Sequence, residues 1–314
     1  MKDAHQFRRL SLVMLVLVLF FSKPLYDLVR FALKSDLYSH IVLIPFISAY
    51  LVWIDRGRLT GFASNRSSLA PFDEESAGVR GFVKNLPSST ATRKWVAIPL
   101  VAGFVALALF WMGNGSTWLP NDYLALMVSA FVCFVIAACL LFLSRNILRS
   151  IAFPLAFLVF MVPFPHIAEH WIEVFFQHTS ASAAYAMLTG AGTPVFRSGM
   201  QFQLPGMRLV VAEECSGIHS SLVLFITSLL AGRLLLRTRW KRAMLAVAVI
   251  PLAILRNGLR IFTIAELCVH ISPDMINAWI HRRGGPVFFA LSLVPLFALL
   301  LLLRKSELRE EKIK

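Results

Sequence analysis

The sequence predicts an all-α protein, a polytopic transmembrane helical bundle of about eight spans with both termini in the cytoplasm. Three observations predict it: composition, the spacing of apolar stretches and the distribution of positive charge. Of the 314 residues, 58% are hydrophobic and 15% charged, and the mean hydropathy is +0.71. A soluble domain carries about 25% charged residues. The chain is therefore one solvated by lipid, which excludes a soluble globular domain and a disordered chain. No internal period indicates a repeat architecture.

Apolar stretches run at residues 10–22, 41–54, 95–113, 122–144, 150–165, 217–232, 243–265 and 286–303. A hydrocarbon core of about 30 Å asks for about 20 residues per helix, so the second, fifth and sixth stretches borrow flanking residues. With the amino terminus inside, twenty-two of the 31 Lys and Arg fall in inner segments. The positive-inside rule then places both termini in the cytoplasm. Most of the net charge of +14 is topology in this reading, and no nucleic-acid partner is expected. No small-residue cleavage site precedes Lys23 and Pro24, so the first stretch is read as a retained span.

The whole chain, 1–314, reads as a single integral-membrane domain. Residues 55–94, rich in Ser, Gly and charge, form an inner loop, and 304–314 a basic inner tail. The outer side carries residues of unusual type. Segment 164–216 reads as an outer loop leading to Cys215, in which Gln201 to Leu204 and Leu209 to Ala212 flank Pro205-Gly206. That pair favours a turn, so a small extracytoplasmic hairpin is expected before the cysteine. A second outer loop, Glu266 to Gly285, carries His270, His281, Arg282 and Arg283.

Four cysteines are too few and too scattered for a disulfide framework. Cys133 and Cys139 lie within a span and read as packing residues, whereas Cys268 faces outward, where pairing with Cys215 would block it. Cys215, flanked by Glu213, Glu214, Ser216 and Gly217, stands where the outer loop meets a helix start. Unpaired N–H groups there lower a thiol pKa and make a nucleophile, although a small buried residue fits the same place. The two glutamates oppose a thiolate, so a nearby cation is required. Arg256 and Arg260 sit four apart, hence on one face, inside the seventh apolar stretch, with Asn257 on the same turn. An intramembrane arginine is a functional-site signal, against which stand snorkelling to the headgroups and a structural pair with Glu266. His281 is suited to giving a proton to a leaving amine, and His270 is its rival.

These residues carry a resemblance. The run Val211-Ala212-Glu213-Glu214-Cys215-Ser216-Gly217-Ile218, then Asn257-Gly258-Leu259-Arg260-Ile261, then His281 with Gly285 and Phe289, resembles the exosortase and archaeosortase family. Tyr38-Ser39-His40 with Leu43-Ile44-Pro45, and Gly192-Thr193-Pro194-Val195 through Leu204-Pro205, are similar to further segments of it. The resemblance implies a multi-pass cysteine transpeptidase of a prokaryotic plasma (inner) membrane, with its active site on the outer face. Its substrates would be membrane-anchored proteins bearing a carboxy-terminal sorting signal, namely a motif such as Pro-Glu-Pro, one helix and a basic tail. By motif, Cys215 would be the nucleophile, Arg260 the essential arginine and His281 the acid/base partner. The mechanism calls for no cofactor and no metal. Water or an acceptor amine would resolve the thioester. Two positions depart from the family pattern: His219 stands where Arg is usual, and Arg256 where Ala is frequent.

Around this centre, Arg197, Arg208, Arg282 and Arg283 are candidates to pair with the glutamate of such a signal, as solvated loop charges also would. His40, with Asp36 and Tyr38, either lines the same outer cavity or caps its own loop. Two other classes remain. His166-Ile167-Ala168-Glu169-His170 matches the H-x-x-E-H pattern of inverted zinc peptidases, with Glu173 and His178 continuing a polar stripe that also suits an interfacial helix. A transporter or flippase for a polymer precursor would use buried arginine as well, but the polar residues here gather at one surface rather than at the midplane.

Overall fold

Prolines and helix-breaking turns divide the apolar stretches more finely than hydropathy does. The computed structural model describes residues 2–35, 37–64, 89–113, 118–211, 217–272 and 285–313. Two compact units divide the chain, Met1–His166 and Ile167–Lys314.

The first unit holds α1 (Lys2–Phe20), α2 (Ser22–Lys34), a 3-10 turn (Ser39–Leu43), α3 (Ile44–Ser64), α4 (Ser89–Met112), α5 (Pro120–Phe142) and α6 (Arg145–Phe157). Pro24 explains the break between α1 and α2. Without an N–H and with a ring that crowds the preceding turn, it ends one helix and is tolerated in the first turn of the next. The chain bends there by 66°. Phe21 at the bend is buried and packs its ring against Phe131 and Phe134 of α5, at 5.6 and 6.1 Å. On α5, buried Ala125, Ala130, Ala137 and Ala138 admit close neighbours, as interfaces between membrane helices require.

The second unit holds α7 (His166–Gly190), β1 (Phe196–Ser198), β2 (Gln201–Leu204), β3 (Met207–Val210), α8 (Ile218–Leu235), α9 (Arg239–His270) and α10 (Gly285–Ile313). α8, α9 and α10 pack around Leu224, Leu245, Val249, Leu296 and Leu300. α7 rests on α9 at Gly258, where an added Cβ would come within 2.8 Å of Ala183 Cβ. The three strands form one antiparallel sheet in the order β1-β2-β3. Its inward residues Phe202, Leu204 and Leu209 join Ala181, Ala184 and Leu188 of α7 and Ile261 and Ala265 of α9 in one core.

The all-α polytopic class is as the sequence predicts, with several refinements. Among the described residues, five helices are long and apolar enough to cross a membrane, or up to seven if each bent pair is one span. The stretches at 10–22 and 150–165 belong to broken pairs, and Ser39–Ile54 is a shorter apolar helix. The segment read as an outer loop, 164–216, opens with the 25 residues of α7. The hairpin exists, but its second strand is Met207–Val210 rather than Leu209–Ala212. Pro205-Gly206, with Gly206 at φ 77°, makes a two-residue turn that pairs Leu204 directly with Met207. β1 was not anticipated.

At the end of the unit opposite the sheet, α10 closes on the α8–α9 connection. Glu307 accepts the backbone N–H groups of Arg237 at 3.0 Å and Thr238 at 2.7 Å. Lys241, only 1% exposed, donates to Ser306 Oγ at 2.8 Å and to Glu310 at 2.9 Å. Glu307→Ala leaves two part-buried N–H groups of the α8–α9 connection without their acceptor, at a cost of up to about 1–3 kcal/mol each. It is expected to lower the melting temperature of the detergent-solubilised protein by several degrees. Glu310→Gln, at an exposed carboxylate, is expected to change it by less, and equal shifts would refute this ranking.

Candidate functional site

α8 starts at a glycine because the backbone there turns the wrong way for any other residue. Gly217 has φ 69° and ψ 16°, the left-handed region. Its carbonyl gathers four donors: Ser221 N at 3.0 Å, Ser221 Oγ at 2.7 Å, Ser220 Oγ at 3.2 Å and Arg256 Nη2 at 3.0 Å. Arg256 Nη2 also reaches Ser221 Oγ at 3.2 Å. Space is equally decisive. A Cβ on residue 217 would lie 2.8 Å from Arg256 Nη2 and 3.0 Å from Asn257 Cγ.

Arg256 is 6% exposed and Asn257 2%. Burying a guanidinium without acceptors is prohibitive, and Gly217 supplies one. Of the readings open for Arg256, snorkelling is thus set aside: the side chain turns inward to the start of α8. Arg260 lies one turn further along α9, about 6 Å at 1.5 Å per residue, in the direction of His270.

The other end of the same short segment is also held. Val211 N donates to Met200 O at 3.0 Å, and Val211 O accepts from Gln177 Nε2 of α7 at 2.8 Å. Residues 212–216 run between these two anchors, and Glu213, Glu214, Cys215 and Ser216 lie outside the described residues. So do Asp36, His281, Arg282 and Arg283.

Further out on α9, Glu266 accepts from Thr193 Oγ1 and pairs with His270 Nε2 at 3.0 Å. These are its partners rather than the Arg260 of the structural alternative. His270 itself is 67% exposed. Arg197 donates to Gly199 O and to Ser182 Oγ of α7, both at 2.9 Å, and lies over the Phe202 ring. It ties the sheet to α7. Arg208 is exposed on β3 opposite Gln203. His219 is half-buried in the first turn of α8. His40 belongs to the first unit, where Nδ1 donates to Leu37 O at 3.1 Å.

His166, Glu169 and His170 occupy the first turns of α7, both histidines exposed. A catalytic zinc takes three protein ligands. Among the described residues, no group of three or more His, Cys, Asp or Glu side chains is placed to hold a metal ion. Cys139 and Cys268 are buried thiols and Cys133 a half-buried one.

Gln177 and Ser221 escaped the sequence reading as parts of this site, and Thr193 and Glu266 were noted without the hydrogen bond that joins them. The available signal for Gln177, one polar residue among several in its half of α7, was weak. For Ser221 it was the spacing of four from Gly217.

A family model described as transmembrane exosortase matches residues 30–298. The chain belongs to this family. Compared with curated proteins and with solved structures, it has no significant match in either. Within this exosortase, the matched region takes in His40, the strands, the Gly217–Arg256 contact and the start of α10. Membership supports a processing role for a multi-pass membrane protein, and the described geometry brings Gly217 of the cysteine motif into direct contact with Arg256, the residue before the Asn257–Ile261 motif.

Proposed function

We propose that this exosortase cleaves, and transfers to an acceptor, secreted proteins that carry a carboxy-terminal sorting signal of the Pro-Glu-Pro type, at the outer face of a prokaryotic plasma membrane. Cys215 is the nucleophile. Its thiolate attacks the peptide carbonyl, and the resulting oxyanion is stabilised by the Arg260 guanidinium. His281 protonates the leaving amine, which departs with the substrate's membrane helix. The acyl group stays on sulfur as a thioester, and water or an acceptor amine then attacks it and restores the thiol.

The observation that carries this reading is the hydrogen bond from Arg256 to Gly217 O, two residues after the cysteine, one turn before Arg260 on the same helix face. It supports a thiol close to a guanidinium, the arrangement that offsets the repulsion of Glu213 and Glu214. The exposed Arg208 is a candidate partner for the signal's glutamate, as are Arg282 and Arg283. Arg197, already engaged with Ser182 and Gly199, is a weaker candidate.

The test is to trap the intermediate. Purified protein given a signal-bearing substrate is expected to gain the acyl mass on the peptide containing Cys215, and hydroxylamine is expected to remove it. An adduct on another residue, or turnover with no adduct under rapid quench, overturns the assignment. A maleimide is expected to stop processing, whereas a zinc chelator leaves it unchanged. The reverse pattern would restore the metallopeptidase reading of His166, Glu169 and His170.

A further inference from the structure

A second feature lies in the first unit, on α4, α5 and α6. A groove with a volume of about 380 Å³ is walled by Trp95 of α4, Ile136 and Leu140 of α5, and Leu148, Ala152 and Leu155 of α6. Arg145 and Arg149, one turn apart on α6, complete its lining. Both are exposed, and neither has a hydrogen bond or ion pair among the described residues. Among the described residues, no carboxylate lines the groove.

Its depth in a bilayer follows from the helices that build it. The apolar window of α4 begins at Trp95, and α5 ends at Phe142, three residues before Arg145. The groove therefore sits where two neighbouring spans end, at the level of the headgroups. Trp belongs at that level by its amphipathic ring, and arginine by its reach to phosphate. Two guanidiniums at the end of an apolar trough fit one occupant in both parts: acyl methylenes against Ile136, Leu140 and Leu155, and a phosphodiester held by the arginine forks.

We propose that this groove binds an anionic phospholipid of the leaflet that faces the basic loops. Phosphatidylglycerol in nanodiscs and native mass spectrometry of the full chain provide the test. The protein is expected to retain phosphatidylglycerol about tenfold more strongly than phosphatidylcholine, and Arg145→Gln with Arg149→Gln to remove that preference while leaving phosphatidylcholine retention unchanged. Ala152→Phe fills the trough without touching charge, and it is expected to weaken phosphatidylglycerol retention as well. Equal retention of the two lipids by the native chain overturns the proposal. So does an undiminished preference in either variant, and the groove-filling variant decides the matter if the double arginine variant does not fold. Retention of inorganic phosphate with no lipid preference would reduce the site to an anion-binding pair and likewise overturn it.

Discussion

Cells carrying Cys215→Ala are expected to accumulate signal-bearing substrate entirely uncleaved, with the membrane protein present at its normal level. A covalent mechanism has no second route: without the sulfur, neither the tetrahedral adduct nor the thioester forms. Removing the nucleophile of such an enzyme costs on the order of 10⁶-fold in turnover. Cys215→Ser is expected to fail almost as completely, because a hydroxyl has no thiolate-like fraction near neutral pH and Arg260 can stabilise an anion only once one exists. Arg260→Ala, which leaves the thiol in place, is expected to retain more, with a loss of about 10²–10³-fold for one oxyanion donor. The order of severity is the informative result. An immunoblot of substrate maturation reads it directly. Normal maturation in Cys215→Ala would remove the cysteine mechanism altogether, and an Arg260→Ala defect equal to background would assign the arginine to folding rather than to the oxyanion.

Much of the bundle was legible because membrane helices announce themselves by composition. The stretches at 95–113, 122–144, 217–232, 243–265 and 286–303 all fall on helices, two of which run further, to Arg239–His270 and Gly285–Ile313. α7 was hidden for the opposite reason. Its first half carries His166, Glu169, His170, Glu173 and His178, and its second half buries Ser180, Ala181 and Ala184, residues too small or polar to raise hydropathy. What holds it is close approach to Gly258 of α9, a tertiary fact that no window of sequence reports. The break at Phe21 was readable in principle from Pro24, but a continuous apolar run masks it.

The site was legible in part, by pairing chemistry that needs a partner with chemistry that supplies one. A thiol beside two glutamates needs a cation, and the only arginines inside an apolar stretch of α9 were Arg256 and Arg260. Which of them touches the cysteine segment was not legible. Arg256 stands where the family often has Ala, and it is this residue that reaches Gly217. Gln177 comes from an element far away in sequence, and Thr193 was noted only for its motif, without its partner Glu266.

Gly217→Ala is expected to lower processing about 100-fold, through two separable effects. A left-handed backbone costs a residue with a Cβ about 1–2 kcal/mol. The new methyl would also stand 2.8 Å from Arg256 Nη2, and the guanidinium, 6% exposed, has little room to retreat without breaking its bonds to Gly217 O and Ser221 Oγ. Either adjustment shifts the chain two residues from the sulfur, where a displacement of about 1 Å is worth roughly 100-fold. Arg256→Ala alone is expected to cost about tenfold, since it removes one donor to a carbonyl that keeps three others from Ser220 and Ser221. Contact between the two positions makes the pair non-additive. Shortening Arg256 relieves the steric part, so the double variant is expected to be no worse than Gly217→Ala, not 1,000-fold impaired. A fully multiplicative loss in initial rates would mean that the two residues act independently, and the Arg256–Gly217 contact could then no longer be what sets the cysteine segment in place.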